Sequence, residues 1–275
     1  QHPNPLDHRA HGGLSAVTNP AHPGSSPAPS LDRRFLVFLG PLVLTNMLQA
    51  LTGTVNHIYV GRLLGAGSLA AVASFMPLFF LLSAFIMGLG NGASILVGQA
   101  FGARNPARLH AVAGTTLCTG VLLGLVLAAI GVVAVQPLMR LLGTPADVLP
   151  QAVAYARGMM VLFPVLFTSM LTAALLRGTG DTVTPLRALG VSLSVTVVCA
   201  PPFIQGVPAI GLPALGILGG VAALLLATLC SLGYTAWHLR RRAHVLAPTR
   251  ALLAQVRLDA ALLRTLVRLG VPTGL

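Results

Sequence analysis

Six long apolar spans dominate this sequence and limit what it can fold into. A helix needs about 20 predominantly apolar residues to cross a bilayer, and each span is long enough to do so. We therefore predict six membrane-spanning helices. They cover residues 35–59, 69–96, 109–135, 148–175, 184–204 and 215–238.

The composition supports this interpretation. Hydrophobic residues make up 55% of the chain and charged residues only 8%, whereas soluble domains carry about 25% charged residues. So few charges cannot keep a folded surface of this size in water, but lipid can cover most of such a surface. The sequence thus predicts an all-α integral membrane protein, a six-helix transmembrane bundle with the lipid bilayer as its partner.

The basic residues indicate how the bundle is oriented. All 17 are arginine, and they lack the aromatic interleaving of nucleic-acid interfaces, so we expect no nucleic-acid partner. From residue 33 onward, thirteen arginines lie on one side of the predicted membrane and only Arg62, Arg140 and Arg157 on the other. Because cytoplasmic loops are rich in arginine, we predict a multi-pass protein of the cell inner membrane with a cytoplasmic N-terminus.

The two ends of the chain differ from the spans. Residues 1–33 are rich in proline and histidine and predict a disordered tail, whose histidines fit no metal-ligand spacing. Residues 34–239 hold the six-helix transmembrane lobe. Residues 240–275 predict a basic cytoplasmic linker and the start of a seventh helix.

The start of the first span recurs near the end of the chain. Aligning Leu36 with Leu266, an offset of 230 positions (266 − 36), matches Arg, Leu, Val, Leu and Gly in register. This indicates one lobe of a two-lobe, twelve-helix protein, cut where the second repeat begins. Many transporters place their substrate site between two such repeats, so we expect this chain to need a second six-helix lobe.

Two glycine-containing motifs follow the second and fourth spans. Their glycines allow tight reversals, and an aspartate followed by proline is typical of a helix start. An arginine before the second turn can bind helix carbonyls or lipid headgroups. A structural corner and a gating element are both open interpretations. The motif residues are Gly98, Gln99, Gly102, Arg177, Gly178, Gly180, Asp181 and Pro185.

Together with the stretch 60–65 and Pro41 as a kink in helix one, these motifs resemble the multidrug and toxic compound extrusion (MATE) family. The resemblance covers about residues 34–275. It implies a transporter rather than an enzyme, exporting organic cations or amphiphilic drugs as protons or sodium ions enter. It implies no catalytic residue, metal site or cofactor.

The sequence departs from the family at its acidic positions. The family often has an aspartate near the end of helix one and an Asn–Asp pair before a proline in helix five. The matching positions here hold Asn56, Thr196 and Ala200. All five acidic residues lie in the tail, in loops or at loop edges: Asp7, Asp32, Asp147, Asp181 and Asp259.

The ion-coupling site is therefore open to three interpretations: the second lobe, an uncharged oxygen cage, or His57. His57 lies well within a span, and histidine titrates near physiological pH. A neutral histidine at the membrane interface, within one turn of the helix end, is the alternative.

Polar residues form a stripe on helix one. Thr45, Gln49, Thr52 and Asn56 are spaced four, three and four apart, which places them on one helical face. Such a stripe faces protein or water rather than lipid, so it either lines a substrate cavity or bonds neighbouring helices. Further cavity candidates are Asn91, Ser94, Ser192 and Thr196.

Two other functions compete with drug export. A lipid-linked oligosaccharide flippase of a related fold is expected to line its cavity with basic residues. The deep interior predicted here lacks arginine apart from Arg157, near the outer end of helix four, which weighs against this function. A truncated, non-transporting membrane protein is the other alternative.

Overall fold

The structure, a computed structural model, describes residues 31–207, 213–242, 244–247 and 268. Most of the predicted tail, linker and seventh helix lies outside these residues. The described part contains six α-helices: α1 (Leu31–Leu64), α2 (Ala66–Gly102), α3 (Pro106–Leu141), α4 (Leu149–Gly178), α5 (Val183–Gln205) and α6 (Ile217–Arg241).

The all-α bundle predicted from the sequence is confirmed. Helices α2 to α6 are each long and apolar enough to cross a membrane, and α1 has 34 residues. Most of the helices are longer than their apolar spans. The 37 residues of α2 reach about 55 Å, whereas the hydrocarbon core is about 30 Å thick. The apolar pattern therefore marks the part in lipid, and the helices continue beyond it.

The connection between α1 and α2 is shorter than the sequence suggested. The stretch 60–64 after the first span belongs to α1, and only Gly65 separates the two helices. Gly65 has φ 86°, a left-handed conformation that glycine adopts without strain. A single residue thus reverses the chain.

Helix α4 is the centre of the bundle and packs against α2, α3 and α6, while α5 packs against α1 and α6. An aromatic cluster fills the α2–α4 interface. Phe163 and Phe167 have ring centroids 4.9 Å apart, and Tyr155 meets Phe75 edge-on at 5.8 Å. Aromatic pairs in these geometries stabilise the interface beyond what the burial of their apolar area contributes.

Glycines bring α3 and α4 into close contact. Gly120 and Gly124, four apart on α3, face α4. A Cβ placed on Gly124 would lie 2.5 Å from Pro164 Cα, and one on Gly120 would collide with the Leu171 side chain. Small residues at this spacing let membrane helices approach until their backbones touch.

Replacing Gly124 with alanine is expected to destabilise the bundle. The new methyl group meets the backbone of Pro164, so the helices must separate, at a cost of about 1–3 kcal/mol. Gly233→Ala is the matched control, since nothing lies within 4 Å of its Cβ position. Thermal unfolding in detergent measures both. Equal unfolding midpoints for the two variants would contradict the packing assigned to this interface.

Candidate functional site

A cavity of about 300 Å³ opens among α1, α2, α4, α5 and α6. It lies towards the end of the bundle formed by the α2–α3 turn, the α4–α5 turn and the last turn of α6. We call this the arginine-rich end, after Arg104, Arg108, Arg177, Arg187, Arg240, Arg241 and Arg242. The polar lining residues are Thr45, Asn46, Gln49, Asn91, Ser169, Thr172, Arg177, Ser231 and Thr235.

The cavity brings together three of the predicted cavity residues, namely Thr45, Gln49 and Asn91. Its lining does not include Thr52, Asn56, Ser94, Ser192 or Thr196. The sequence reasoning missed the polar residues that α4 and α6 contribute. Their sequence pattern is weak, because single or paired polar residues in an otherwise apolar helix do not form a stripe. These residues are Ser169, Thr172, Ser231 and Thr235.

The threonines of the predicted cavity set are satisfied within their own helices. The hydroxyl groups of Thr45, Thr52 and Thr196 donate to the carbonyls of Pro41, Leu48 and Ser192, at 2.6, 2.8 and 2.9 Å. Each bond runs four residues back along the same helix, so these hydroxyl hydrogens do not link neighbouring helices.

Asn56 differs from its neighbours on the α1 stripe. Its Oδ1 atom is buried and has no hydrogen-bond partner among the described residues. It faces Gly220 of α6, with Oδ1 3.4 Å from the position a Cβ would take there. A buried unsatisfied oxygen is uncommon and calls for an explanation such as a water or an ion.

His57 lies farther from the helix end than the sequence indicated. Helix α1 continues to Leu64, seven residues beyond (64 − 57), which is about two turns. The expectation that His57 sits within one turn of the end was therefore wrong. Its side chain is half-buried and makes no hydrogen bond within the described part of the chain.

The α4–α5 corner follows from its residue types. Oδ1 of Asp181 accepts the backbone N–H groups of Val183 and Thr184 at 3.2 and 2.9 Å, which caps α5. Gly180 has φ 85° and reverses the chain. Pro185 lies in the first turn of α5 and lines the cavity.

The two motif corners are in contact with each other. A Cβ on Gly178 would lie 2.6 Å from the carbonyl oxygen of Ser94, and one on Gly98 would lie 3.3 Å from the carbonyl oxygen of Gly178. Only glycine allows the ends of α2 and α4 to approach this closely. In the α2–α3 turn, Asn105 caps α3 by accepting the N–H of Arg108 at 3.0 Å.

Arg177 corrects one expectation about the interior. The sequence suggested that only Arg157 lies deep, but Arg157 is exposed and donates to the Val132 carbonyl. Arg177 instead is half-buried in the last turn of α4 and lines the cavity. Among the described residues, no group of three histidine, cysteine or acidic side chains lies close enough to hold a metal ion.

Comparisons with known proteins agree with this arrangement. The family model MatE matches residues 41–201. The probable multidrug resistance protein YoeA of Bacillus subtilis is 42% identical over 90% of this chain and 53% of its own length. The chain belongs to the MATE family.

Two further likenesses extend the comparison. The FAD transporter of Shewanella oneidensis is 28% identical over 63% of this chain and 38% of its own length. An outward-facing MATE transporter of the MOP superfamily superposes with a TM-score of 0.74 at 27% identity, covering 87% of this chain and 51% of that one. The chain thus spans 53% of the length of YoeA, 38% of the FAD transporter and 51% of the MATE structure.

One histidine fastens the segment after α6 to this MATE lobe, and a second histidine stabilises a local turn within the segment. Nε2 of His110, in α3, donates to the carbonyl of Val245 at 2.7 Å, since a carbonyl can only accept. Nδ1 of His244 accepts the N–H of Leu246 at 3.1 Å. That second bond requires an unprotonated Nδ1, and hence a neutral His244.

The surroundings of His244 favour the neutral form. Burial lowers its pKa below the ordinary 6.5, the charge of Asp181 raises it in part, and His238 lowers it. Because the pKa of His244 is lowered when the segment is folded, His244 stabilises the folded segment fully above pH 6.5. This stabilisation weakens as the pH falls below 6.5, because His244 is protonated more easily when the segment is unfolded than when it is folded.

We expect the amide of Leu246 to lose protection from hydrogen exchange between pH 7.5 and 5.5, after correction for the intrinsic rate. In His244→Asn the side-chain oxygen can still accept the N–H but does not titrate, so its protection should not change over this range. A wild-type protection factor that stays constant with pH would refute the assignment.

Proposed function

We propose that this chain is the N-terminal half of an exporter of drug-like small molecules, organic cations and amphiphilic drugs among them, driven by proton or sodium entry. The polar cavity within a MATE lobe carries the proposal. Gln49 and Asn91 line it and are exposed in the lobe. Neutral amides can bind substrates without fixing their charge.

A second lobe completes the site in this proposal. The relatives are about twice as long, and in two-repeat transporters the substrate lies between the repeats. The chain alone then supplies one wall, and we expect it not to transport by itself.

Coupling requires a group that binds the entering ion. Among side chains that the structure describes, the carboxylates belong to Asp147 and Asp181, both in turns between helices. His57 is the titratable candidate within a helix, and the unsatisfied Oδ1 of Asn56 is the candidate for an oxygen cage. The second lobe is the remaining location.

Export is tested in proteoliposomes of the full-length transporter with a fluorescent amphiphilic cation and an imposed proton or sodium gradient. Gln49→Leu removes a cavity hydrogen bond of about 0.5–1.5 kcal/mol, so kcat/KM should fall about two- to tenfold. Gln205→Leu, at the exposed end of α5, is the matched control and should export normally.

Two results would count against the function. If the export rate does not depend on either the proton or the sodium gradient, the antiport mechanism is rejected. Equal rates for Gln49→Leu and wild type across several substrates show that this cavity takes no part.

We further propose that the arginine-rich end faces the cytoplasm and that the protein resides in the inner membrane. The arginine bias supports this orientation. It places the α3–α4 turn outside and both motif corners inside.

Single cysteines test the orientation in a cysteine-free background. Ala146 in the α3–α4 turn and Ala103 in the α2–α3 turn are both exposed, which makes them a matched pair. An impermeant maleimide added to intact cells should label Ala146→Cys but not Ala103→Cys. Labelling of Ala103→Cys alone would reverse the topology.

One observation favours the second candidate, a flippase for pyrophosphate-linked oligosaccharide lipids. Arg177 places a cation in the cavity, as a pyrophosphate headgroup would require. Such a protein would move these lipids in the same assay, whereas a drug exporter would not.

A further inference from the structure

Arg177 has no counter-charge within the described part of the chain. Its guanidinium is half-buried in the cavity lining and forms no ion pair or hydrogen bond with the described residues. Taking a charge out of water is costly unless a partner compensates it. Fully buried arginines are accordingly almost always paired, and a half-buried arginine is stabilised when an anion neutralises it.

The described carboxylates do not pair with Arg177. Asp147 lies in the α3–α4 turn, at the opposite end of the bundle from Arg177. The carboxylate of Asp181 is occupied by the backbone of Val183 and Thr184 and by the hydroxyl of Thr184 at 2.5 Å. Neither aspartate lines the cavity.

The rest of the lining offers hydrogen-bond donors. The amides of Asn46, Gln49 and Asn91 and the hydroxyls of Ser169 and Ser231 make no hydrogen bonds with other described residues. Beside them, the planar guanidinium of Arg177 presents N–H groups in a fork that matches two oxygens of a phosphate or carboxylate. A site that combines one cation with unpaired hydrogen-bond donors is suited to bind an anion.

Size and location narrow the class of anion. At about 300 Å³, the cavity is at the lower limit of small-molecule pockets, which run from about 300 to 1,000 Å³. A volume of this size holds a headgroup or a small ester within this lobe alone. Exposed Arg187, Arg241 and Arg242 at the same end create a positive potential that concentrates anions at its mouth.

We propose that this cavity binds a phosphate-bearing anion through Arg177, supplied either by the headgroup of an anionic phospholipid or by a soluble phosphate ester. Asn91 and Gln49 donate further hydrogen bonds to its oxygens. The anion proposal concerns the same cavity but does not rest on drug export, because binding can be measured without transport.

Two binding measurements on the purified full-length transporter test the site and separate its sources. Native mass spectrometry counts the phosphatidylglycerol retained against phosphatidylcholine from mixed micelles of both lipids. Calorimetry measures glycerol 3-phosphate, with chloride at equal ionic strength as the blank. Retention of phosphatidylglycerol alone identifies the headgroup as the source, and glycerol 3-phosphate binding identifies a soluble ester.

Three variants connect binding to this cavity. Arg177→Gln should weaken the phosphate probe at least about tenfold, the loss expected for a charged hydrogen bond. Asn91→Asp, nearly the same shape, supplies a carboxylate inside the cavity and should expel the anion to a similar extent. Arg140→Gln removes an exposed arginine at the opposite end of the bundle and should change binding less than twofold.

Asn91→Asp keeps the test decisive if Arg177→Gln fails to fold. The proposal is overturned if wild-type protein binds neither probe, or if the folded variants at positions 91 and 177 bind as tightly as wild type.

Discussion

Contact between helices at van der Waals distance is the interaction on which this fold depends. Lipid is as apolar as leucine, so no hydrophobic force drives membrane helices together, and close packing must take its place. Glycines provide the closest approaches at three interfaces: Gly124 of α3 against α4, Gly178 of α4 against α2, and Gly219 of α6 against Phe203 of α5. The contact of Gly178 with α2 fixes α4 against α2, so the cavity walls on these two helices keep a constant separation.

The membrane also explains why the cavity is nearly neutral. A charged side chain in lipid is costly, whereas a threonine can satisfy its hydroxyl within its own helix, as Thr45 and Thr196 do. Amide groups that point into the cavity remain available to solutes. Arg177 is the exception, and it lies in the last turn of α4, next to the aqueous surface, where a charge can be kept at lower cost.

Much of the fold could be predicted from the sequence. The number and order of helices followed from apolar length, and the role of Asp181 as a cap followed from residue type at a turn. Helix ends were missed, because apolar length measures lipid thickness rather than helix length. The contact of Gly178 with Ser94 could not be foreseen, since a single sequence does not say which turns meet in space.

The cavity was predictable only in part, for a related reason. Thr45 and Gln49 form part of a periodic stripe, which marks a face of α1. Ser231 and Thr235 on α6 complete the same cavity, but an isolated pair in an apolar helix gives no comparable pattern. Which helices share a cavity is decided by tertiary packing, and the sequence of one helix holds little information about its neighbours.

The one-residue connection at Gly65 sets a mechanical limit on α1. A one-residue connection cannot lengthen, so α1 cannot slide along its axis relative to α2. It can only pivot about the joint or bend along its own length, and Pro41, whose ring removes a backbone donor, marks the weakest point for bending. Any displacement of the α1 cavity residues Thr45 and Gln49 is therefore an arc centred on one fixed end, largest at the far end of the helix.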